Sequence, residues 1–231
     1  MEAVARRKCQ VLIIDDHPIV SFGLAQAINN QPDMVCCGHA GTLASAKKIF
    51  ETSKADVVTV DLRLPDGDGL ELIKHLTSLK PSIFALVISL CDESIYAERA
   101  LKAGARGYVM KEHGPEEIIA AIRSILNGEL YFSAKVAALA LNQLAGRKPK
   151  GRGKSLEILT DRELQVLQLL GAGLGTRAIG DRLGLSVKTV ETHRENIKHK
   201  LSIPNAAGLI HYAVNWVENR SQPSYRPEGT P

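Results

Sequence analysis

The segment from residue 57 to residue 69 has the sequence Val57-Val58-Thr59-Val60-Asp61-Leu62-Arg63-Leu64-Pro65-Asp66-Gly67-Asp68-Gly69. Its first four residues are a β-branched run, which predicts a short strand buried on both faces of a sheet. The run ends at Asp61, and the Pro and two Gly that follow predict a sharp turn. Open α/β sheets place their chemistry at the carboxyl ends of their strands, where Asp61 lies. Alone, the segment leaves two interpretations open: Asp61 is a reactive group, or it caps the loop.

The surrounding sequence repeats this alternation of strand and helix five times. The predicted strands are 10–15, 34–40, 57–60, 83–89 and 106–110, and the predicted helices are 19–30, 42–52, 69–79, 93–103 and 115–127. Strict alternation folds as a parallel sheet covered by helices on both faces, so we predict an α/β, five-stranded, doubly wound domain. The carboxyl ends of all five strands then lie at one edge of the sheet.

Charge divides the 231 residues into two parts. Residues 1–146 contain 15 Lys and Arg against 17 Asp and Glu, and residues 147–231 contain 14 against 8, which gives net charges of −2 and +6. An acidic first part and a basic second part predict two domains, the second of them close to a polyanion. No apolar run is long enough to span a bilayer, and the first apolar run is too short for a signal peptide. We therefore expect a cytoplasmic protein with no membrane partner.

The cysteines do not indicate a metal site. They are Cys9, Cys36, Cys37 and Cys91. None of them forms a C-x-x-C pair, which argues against zinc. We expect all four thiols to be reduced and structural.

Polar side chains lie at or next to the carboxyl ends of four of the five predicted strands. They are Asp15, Asp16, Asp61, Ser89 and Lys111. Three carboxylates in a small space repel one another and require a cation, and oxygen ligands of this kind suit Mg²⁺. Lys111 and Ser89 can hold the oxygens of a phosphoryl group while an oxygen of Asp61 attacks phosphorus in line. The set therefore predicts a phosphoryl-transfer site.

These residues carry a resemblance to a known family. On the Asp15-Asp16 pair, Asp61, Ser89 and Lys111, residues 10–128 resemble the receiver domain of bacterial two-component response regulators. The resemblance implies that Asp61 is the phosphoacceptor and that a histidine kinase supplies the phosphate.

The resemblance also implies a metal site and a switch. The Mg²⁺ ligands would be Asp16, Asp61 and the backbone carbonyl of Arg63, with Asp15 assisting through water. Ser89 and Tyr108 would form the switch, in which the hydroxyl moves to the phosphate and the aromatic ring turns inward. The sequence departs from many receivers at Leu90, which is bulky, and at Glu112, which stands where many receivers have Pro.

The second half of the chain predicts a helix-turn-helix. Thr160 and Glu163 have the spacing of a capping box for a first helix, which runs to about residue 170. A short helix over 176–183 follows, and Ser186 can cap a longer one that runs to about residue 201. A short helix, a tight turn and a longer polar helix are typical of DNA-binding proteins whose second helix enters the major groove. In the longer helix we predict that Val187, Val190, Ile197 and Leu201 face inward.

This half also resembles a known domain. Leu159-Thr160-Asp161-Arg162-Glu163 and Ser186-Val187-Lys188-Thr189-Val190-Glu191-Thr192-His193 resemble the LuxR-type DNA-binding domain, and the similarity covers about residues 155–217. Together with the receiver it indicates the NarL/FixJ class of response regulators. The resemblance implies that residues 187–200 form the recognition helix.

The predicted DNA contacts all lie on that helix. Those nearest base edges would be Lys188, Glu191, Thr192 and Glu195, the phosphate contacts would be Arg194, Lys198 and Lys200, and Thr189 also belongs to the set. A carboxylate can accept a hydrogen bond from the cytosine amino group. Two departures, Gly175 at a helix N-cap and Gly180 inside the short helix, predict a slightly softer helix.

The predicted organisation is a receiver over 10–128, a helix and basic flexible linker over 129–154, a DNA-binding domain over 155–220 and a disordered tail over 221–231. In the last helix, Leu209, Ala213 and Trp216 form either a stripe for a two-fold partner or part of the small core.

We therefore predict a transcription regulator, not an enzyme, that is phosphorylated at Asp61 by a histidine kinase and binds double-stranded DNA as a homodimer. The only chemistry expected is self-phosphorylation and self-dephosphorylation. Two alternatives are a regulator that binds DNA without phosphorylation and a Mg²⁺-dependent phosphatase that uses Asp61 as its nucleophile.

Overall fold

The computed structural model describes residues 7–91, 93–133, 136, 156 and 158–221. The chain divides into two compact units, Met1–Lys148 and Pro149–Pro231, and each is described by itself. The predicted Ala/Leu-rich helical run after residue 133, the basic linker and the tail after residue 221 lie outside the described residues. Among the helices that are described, none combines the length and apolar character needed to cross a membrane.

The first unit contains a parallel five-stranded sheet. Its strands are β1 (Cys9–Ile14), β2 (Met34–Ala40), β3 (Val57–Val60), β6 (Phe84–Ser89) and β7 (Gly107–Met110). Its helices are α1 (Pro18–Asn29), α2 (Leu43–Thr52), α3 (Gly69–Leu79), α4 (Glu93–Ala103) and α5 (Pro115–Leu126). The spatial order of the strands is β2-β1-β3-β6-β7, which confirms the predicted doubly wound fold.

The helices cover both faces of this sheet. On one face α1 contacts α5, and on the other α3 contacts both α2 and α4. Ile28 of α1 and Ile122 of α5 share one buried cluster with Val11 of β1. All four residues of β3 are buried, as a strand covered on both faces requires.

The turn after β3 is more ordered than the sequence predicts. Residues Arg63–Leu64 (β4) and Gly67–Asp68 (β5) pair as a two-residue antiparallel hairpin. At Gly69, which begins α3, a Cβ atom would lie 2.2 Å from the carbonyl oxygen of Asp61. Only glycine allows the helix to begin this close to the strand end, so the hairpin and α3 are held against Asp61.

The second unit contains four described helices. They are α6 (Asp161–Gly171), α7 (Thr176–Leu183), α8 (Val187–Leu201) and α9 (Ala206–Ser221). The capping box at Thr160 is formed in both directions, and Ser186 accepts a hydrogen bond from the backbone amide of Thr189. Gly184 ends α7 in the left-handed conformation, with φ 65°, which a glycine adopts without a steric cost. The predicted helix-turn-helix is therefore present.

One expectation about side-chain direction in this unit is wrong, and of the two alternatives for the last helix the structure supports the core. Val187 is 43% exposed because it lies in the first turn of α8, off the line of the buried Val190 and Ile197, and Leu201 is only half-buried. Leu209 and Ala213 do not form an exposed stripe: both are buried within the unit, where α9 packs against α6.

Candidate functional site

The predicted polar residues of the first unit lie together at the carboxyl edge of the sheet. The hydrogen bonds between strands extend to these residues. The amide of Asp15 donates to Ala40 O (2.9 Å), and the amide of Asp61 donates to Ile14 O (2.8 Å). The amide of Lys111 donates to Ser89 O (3.0 Å) in the same way. The sheet therefore fixes the backbone positions of Asp15, Asp61 and Lys111.

Lys111 joins two of the buried carboxylates. Its Nζ lies 2.6 Å from Oδ2 of Asp15 and 2.7 Å from Oδ2 of Asp61, and its side chain is only 6% exposed. A buried carboxylate is costly without a paired charge, so the ammonium group is what allows these two to share the pocket.

The other oxygen of Asp61 is held by two donors. Ser89 Oγ donates to Asp61 Oδ1 at 2.8 Å, and the backbone amide of Arg63 donates to the same oxygen at 3.2 Å. Asp61 is 2% exposed. Both carboxylate oxygens are thus oriented, one by an ammonium and one by a hydroxyl and an amide.

One member of the acidic cluster was not predicted. Ligand atoms of Asp15, Asp16, His17 and Asp61 all lie within 4.8 Å of one another. His17 Nδ1 is 2.9 Å from Asp16 Oδ1 and 3.1 Å from Asp15 Oδ1, and the His17 amide donates to Asp15. Its position directly after the acidic pair was the available signal.

The carboxylate oxygens of this cluster fit a hard divalent cation. Asp16 is partly exposed at the mouth of the pocket, whereas Asp15 and Asp61 are buried. Mg²⁺ prefers a site with one or two carboxylates and room for its remaining waters, which this combination of buried and exposed oxygens provides.

Tyr108 is already turned inward. It is 3% exposed, and its hydroxyl donates to the carbonyl oxygen of Cys91 at 2.6 Å. Ser89 and Tyr108 meet through Cys91, because the Cys91 amide donates to Ser89 Oγ at 3.3 Å. Burial raises the pKa of the Cys91 thiol, which favours the neutral form expected of a structural cysteine. Leu90 is exposed, and the peptide bond before Glu112 is trans.

The polar face of α8 in the second unit is accessible. Its exposed members are Lys188, Thr189, Glu191, Thr192 and Glu195. The hydroxyl of Thr192 donates to Lys188 O at 3.0 Å, within the helix. The residues predicted to lie nearest base edges are therefore all at the surface.

The predicted phosphate contacts differ from one another. Lys198 Nζ forms an ion pair with Glu195 at 2.8 Å, and Arg194 donates to the hydroxyl of Thr176 at the start of α7. Lys200 instead bonds the buried Glu163 at 2.6 Å, so it supports the fold of the unit. We expected Lys200 to contact a DNA phosphate because it is a basic residue of the recognition helix. The sequence does not show that its side chain pairs with Glu163 of another helix.

Glu163 on α6, which is buried, and His193 on α8, which is partly buried, have perturbed pKa values. Burial alone would raise the pKa of Glu163, but hydrogen bonds from Lys200 and Thr160 lower it below its usual range. Burial lowers the pKa of His193, and its Nδ1 has no hydrogen-bond partner among the described residues.

Comparisons with known proteins agree with this architecture. Residues 11–123 match the family described as response regulator receiver domain, and residues 157–213 match the family described as bacterial regulatory proteins, luxR family. The chain belongs to the response regulators. Within them it belongs to the NarL/FixJ type, in which a receiver domain precedes a LuxR-type helix-turn-helix domain.

Individual relatives cover nearly the whole chain. The oxygen regulatory protein NreC of Staphylococcus epidermidis is 32% identical over 211 residues, which are 89% of this chain and 96% of the relative. The transcriptional regulatory protein MctR of Rhizobium johnstonii is 32% identical over 210 residues, covering 91% and 95%.

Solved structures with the same fold include RcsB from Salmonella enterica serovar Typhimurium. One was determined bound to a promoter in the presence of the phosphomimetic BeF3−. It has a TM-score of 0.58 and 26% identity, and the match covers 90% of this chain and all of that one.

Proposed function

We propose that this protein is a DNA-binding transcription regulator that is switched on by phosphorylation of Asp61 by a histidine kinase. One observation carries the proposal: both oxygens of the buried Asp61 carboxylate are held, one by Lys111 and the other by Ser89 and the Arg63 amide. A nucleophile oriented in this way, beside two groups that can bind phosphoryl oxygens, suits in-line phosphoryl transfer.

Each group has a separate role in the transfer. An oxygen of Asp61 forms the new bond to phosphorus as the bond from phosphorus to the imidazole nitrogen of the donor breaks. Lys111 neutralises charge on the phosphoryl oxygens, and the Ser89 hydroxyl donates a hydrogen bond to one of them. Phosphoryl transfer depends mainly on such positioning and charge neutralisation.

Mg²⁺ is the proposed cofactor. Asp16, Asp61 and the backbone carbonyl of Arg63 would hold it, with Asp15 assisting through water. When bound, the ion adds positive charge next to the phosphoryl oxygens and offsets the repulsion between them and the carboxylates. The proposed ligands are carboxylate and carbonyl oxygens, which suit Mg²⁺, while the His17 nitrogen in the same cluster pairs with Asp15 and Asp16.

The switch is proposed to run from Ser89 to Tyr108. The two side chains are linked by hydrogen bonds through Cys91. Tyr108 is inward while the Ser89 hydroxyl still bonds Asp61, so we propose that movement of this hydroxyl to a phosphoryl oxygen holds the ring in that inward position. The phosphorylated receiver would then promote formation of a homodimer, the form in which we expect the protein to bind two half-sites on double-stranded DNA.

The DNA contacts are proposed to lie on α8. Lys188, Glu191, Thr192 and Glu195 would face base edges, with Thr189 beside them, and Arg194 and Lys198 would reach phosphates. Exposed carboxylates that face DNA are repelled by its phosphates unless they accept a hydrogen bond from a base. The cytosine amino group is the donor that suits them, so we propose that Glu191 and Glu195 favour cytosine. Consistent with these partners, we propose a cytoplasmic location.

Phosphorylation of the purified protein tests this function. The native chain, incubated with acetyl phosphate and Mg²⁺, should gain one phosphoryl group on Asp61, as measured by intact mass and peptide mapping. Asp61→Asn should remain unmodified, and so should the native chain when EDTA removes the metal. The same preparation is assayed for turnover of p-nitrophenyl phosphate.

Two results would contradict the proposal. Phosphorylation of Asp61→Asn to the native extent would remove Asp61 as the acceptor. Steady turnover of p-nitrophenyl phosphate that depends on Asp61 would instead favour the phosphatase.

A further inference from the structure

The tip of the β4–β5 hairpin is attached to a different element of the receiver. Oδ1 of Asp66 accepts a hydrogen bond from the backbone amide of Leu43 at 2.7 Å, and its Oδ2 accepts one from Ala44 at 3.0 Å. Leu43 and Ala44 are the first two residues of α2, more than 20 positions earlier in the chain. The carboxylate of Asp66 thus caps a helix to which it is not adjacent in sequence.

This cap adds to the one that α2 already has. Thr42 Oγ1 accepts from the amide of Ser45 at 3.1 Å, which satisfies the third amide of the helix. The first two amides have no partner inside the helix, and Asp66 supplies both. A carboxylate at the positive end of a helix dipole makes charge-assisted hydrogen bonds, which are stronger than neutral ones.

The two segments that Asp66 joins are each next to a different residue of the acidic pocket. The hairpin contains Arg63, whose amide donates to Asp61. In the second segment, the residue that precedes the cap of α2 is Gly41, and a Cβ atom there would lie 3.7 Å from Cα of Asp16. Fixing the hairpin to the start of α2 therefore fixes the backbone around Arg63 relative to the backbone at Asp16.

Packing at Gly67 supports the same attachment. A Cβ atom at Gly67 would lie 2.2 Å from Cδ1 of Leu43, so the hairpin backbone lies directly against the first side chain of α2. The hydrogen bonds of Asp66 and this close contact act at the same place.

We infer that Asp66 is a positioning residue for the phosphorylation site, acting by holding the Arg63 side of the pocket at a fixed distance from Asp16. The inference rests on the proposed function, since Asp16, Asp61 and the Arg63 carbonyl are the groups proposed to hold Mg²⁺. Asp66 itself contacts neither the metal nor the phosphate. Residues that orient metal ligands from outside the ligand set commonly change affinity by one or two orders of magnitude when they are removed.

Titration of the full-length chain with Mg²⁺ alone, followed by calorimetry, tests the inference. Asp66→Ala should raise the dissociation constant for Mg²⁺ by about tenfold. Asp66→Asn, which keeps one acceptor oxygen and the shape of the side chain, should give an intermediate value. The matched control is Thr42→Ala, which removes the other cap of the same helix without touching the hairpin. It should lower the melting temperature while leaving the Mg²⁺ affinity close to that of the native chain.

The outcomes separate this inference from the function on which it rests. If Asp66→Ala binds Mg²⁺ as the native chain does, or if Thr42→Ala weakens binding equally, Asp66 supports only the stability of the helix and the inference is wrong. If the native chain itself binds no Mg²⁺, both the inference and the proposed metal site are wrong.

Discussion

Gly180 lies inside α7, at a position where any side chain would meet the backbone of the turn that follows the helix. A Cβ atom there would lie 2.7 Å from the carbonyl oxygen of Leu185, and Gly180 is buried. The amide of Leu185 donates to Gly180 O at 2.9 Å, so the two residues approach on both sides. The close turn between α7 and α8 therefore requires glycine at this position, although glycine is a weak helix former.

Gly180→Ala should destabilise the second unit although alanine is the better helix former. The gain in helix propensity is about 0.5–1 kcal/mol, whereas forcing the turn apart costs about 1–3 kcal/mol. The free energy of unfolding can be measured in urea by the fluorescence of Trp216, the only tryptophan, which lies in α9. Gly175→Ser is the control: a Cβ atom there has open space, and a better N-cap should stabilise slightly. Stabilisation by Gly180→Ala would show that the turn has room for a side chain.

Glu195 provides a residue-scale test of base preference. It is exposed on α8, and its carboxylate is held by Lys198. Glu195→Gln should move the preferred base at one position from cytosine toward adenine, because a glutamine amide can donate to and accept from adenine. Selection from a random-sequence duplex pool measures the preference, and a discrimination of about 1–3 kcal/mol is expected. The control is Glu218→Gln on α9, which should leave the selected sequence unchanged. If Glu195→Gln also leaves it unchanged, Glu195 does not contact a base.

At the scale of elements, α6 and α8 are joined by the buried carboxylate of Glu163 and by partly buried groups around it. Glu163 of α6 accepts from Lys200 of α8, and His193 of α8 lies near Glu163, Arg162 and Lys200. Both Glu163 and His193 have pKa values below their ordinary ranges. The packing of these two helices therefore depends on pH in two separate windows.

The free energy of unfolding of the second unit should fall on acidification. Below pH 6.5, the ordinary pKa of histidine, the unfolded chain takes up a proton at His193 before the folded one does. Below pH 4.5 the same holds for Glu163, whose contribution is lost as the pH falls through its lowered folded pKa. Urea unfolding followed by Trp216 fluorescence at several pH values measures the profile.

Substitution of His193 tests whether this residue causes the fall in the free energy of unfolding below pH 6.5. His193→Gln should flatten the fall that begins below pH 6.5 while leaving the fall below pH 4.5 in place. A profile of native slope in His193→Gln would contradict the assignment.

The elements also show how far sequence reasoning extends. The bounds of β2, α3, α4, α7 and α8 agree with the alternation and capping patterns, because each of these elements depends on local apolar spacing or a cap. The pairing of Tyr131 with the edge strand at Gly107, and the capping of α2 by Asp66, involve residues far apart in sequence and have no local pattern.

At the acidic pocket, the chemistry could be predicted and the contacts could not. The strand ends placed Asp15, Asp61, Ser89 and Lys111 at one edge because parallel strands share a direction. Two contacts depend on side-chain geometry in three dimensions. One is the choice of carboxylate oxygens by Lys111, and the other is the pairing of the His17 ring with Asp15. For the same reason Lys200 was expected at DNA, although it bonds the buried Glu163.

At the scale of the whole molecule, the two parts of the sequence differ in net charge and in proposed role. The acidic first part of the sequence contains the pocket proposed to receive phosphate, and the basic second part contains the helix proposed to contact DNA. The central claim is that phosphate at Asp61 controls the DNA binding of the second unit. Testing it requires both events to be observed in the same full-length chain.

The most direct measurement is duplex binding together with the molecular mass in solution, with and without BeF3− and Mg²⁺, for the native chain and Asp61→Ala. The duplex is one recovered by selection with the native chain, and binding is repeated at two salt concentrations because phosphate contacts weaken as salt rises. We predict that the phosphomimetic raises DNA affinity and converts the native chain to a dimer, while Asp61→Ala responds in neither assay. Equal binding by both proteins, with no effect of the phosphomimetic on affinity or mass, would contradict the account and favour a regulator that binds DNA without phosphorylation.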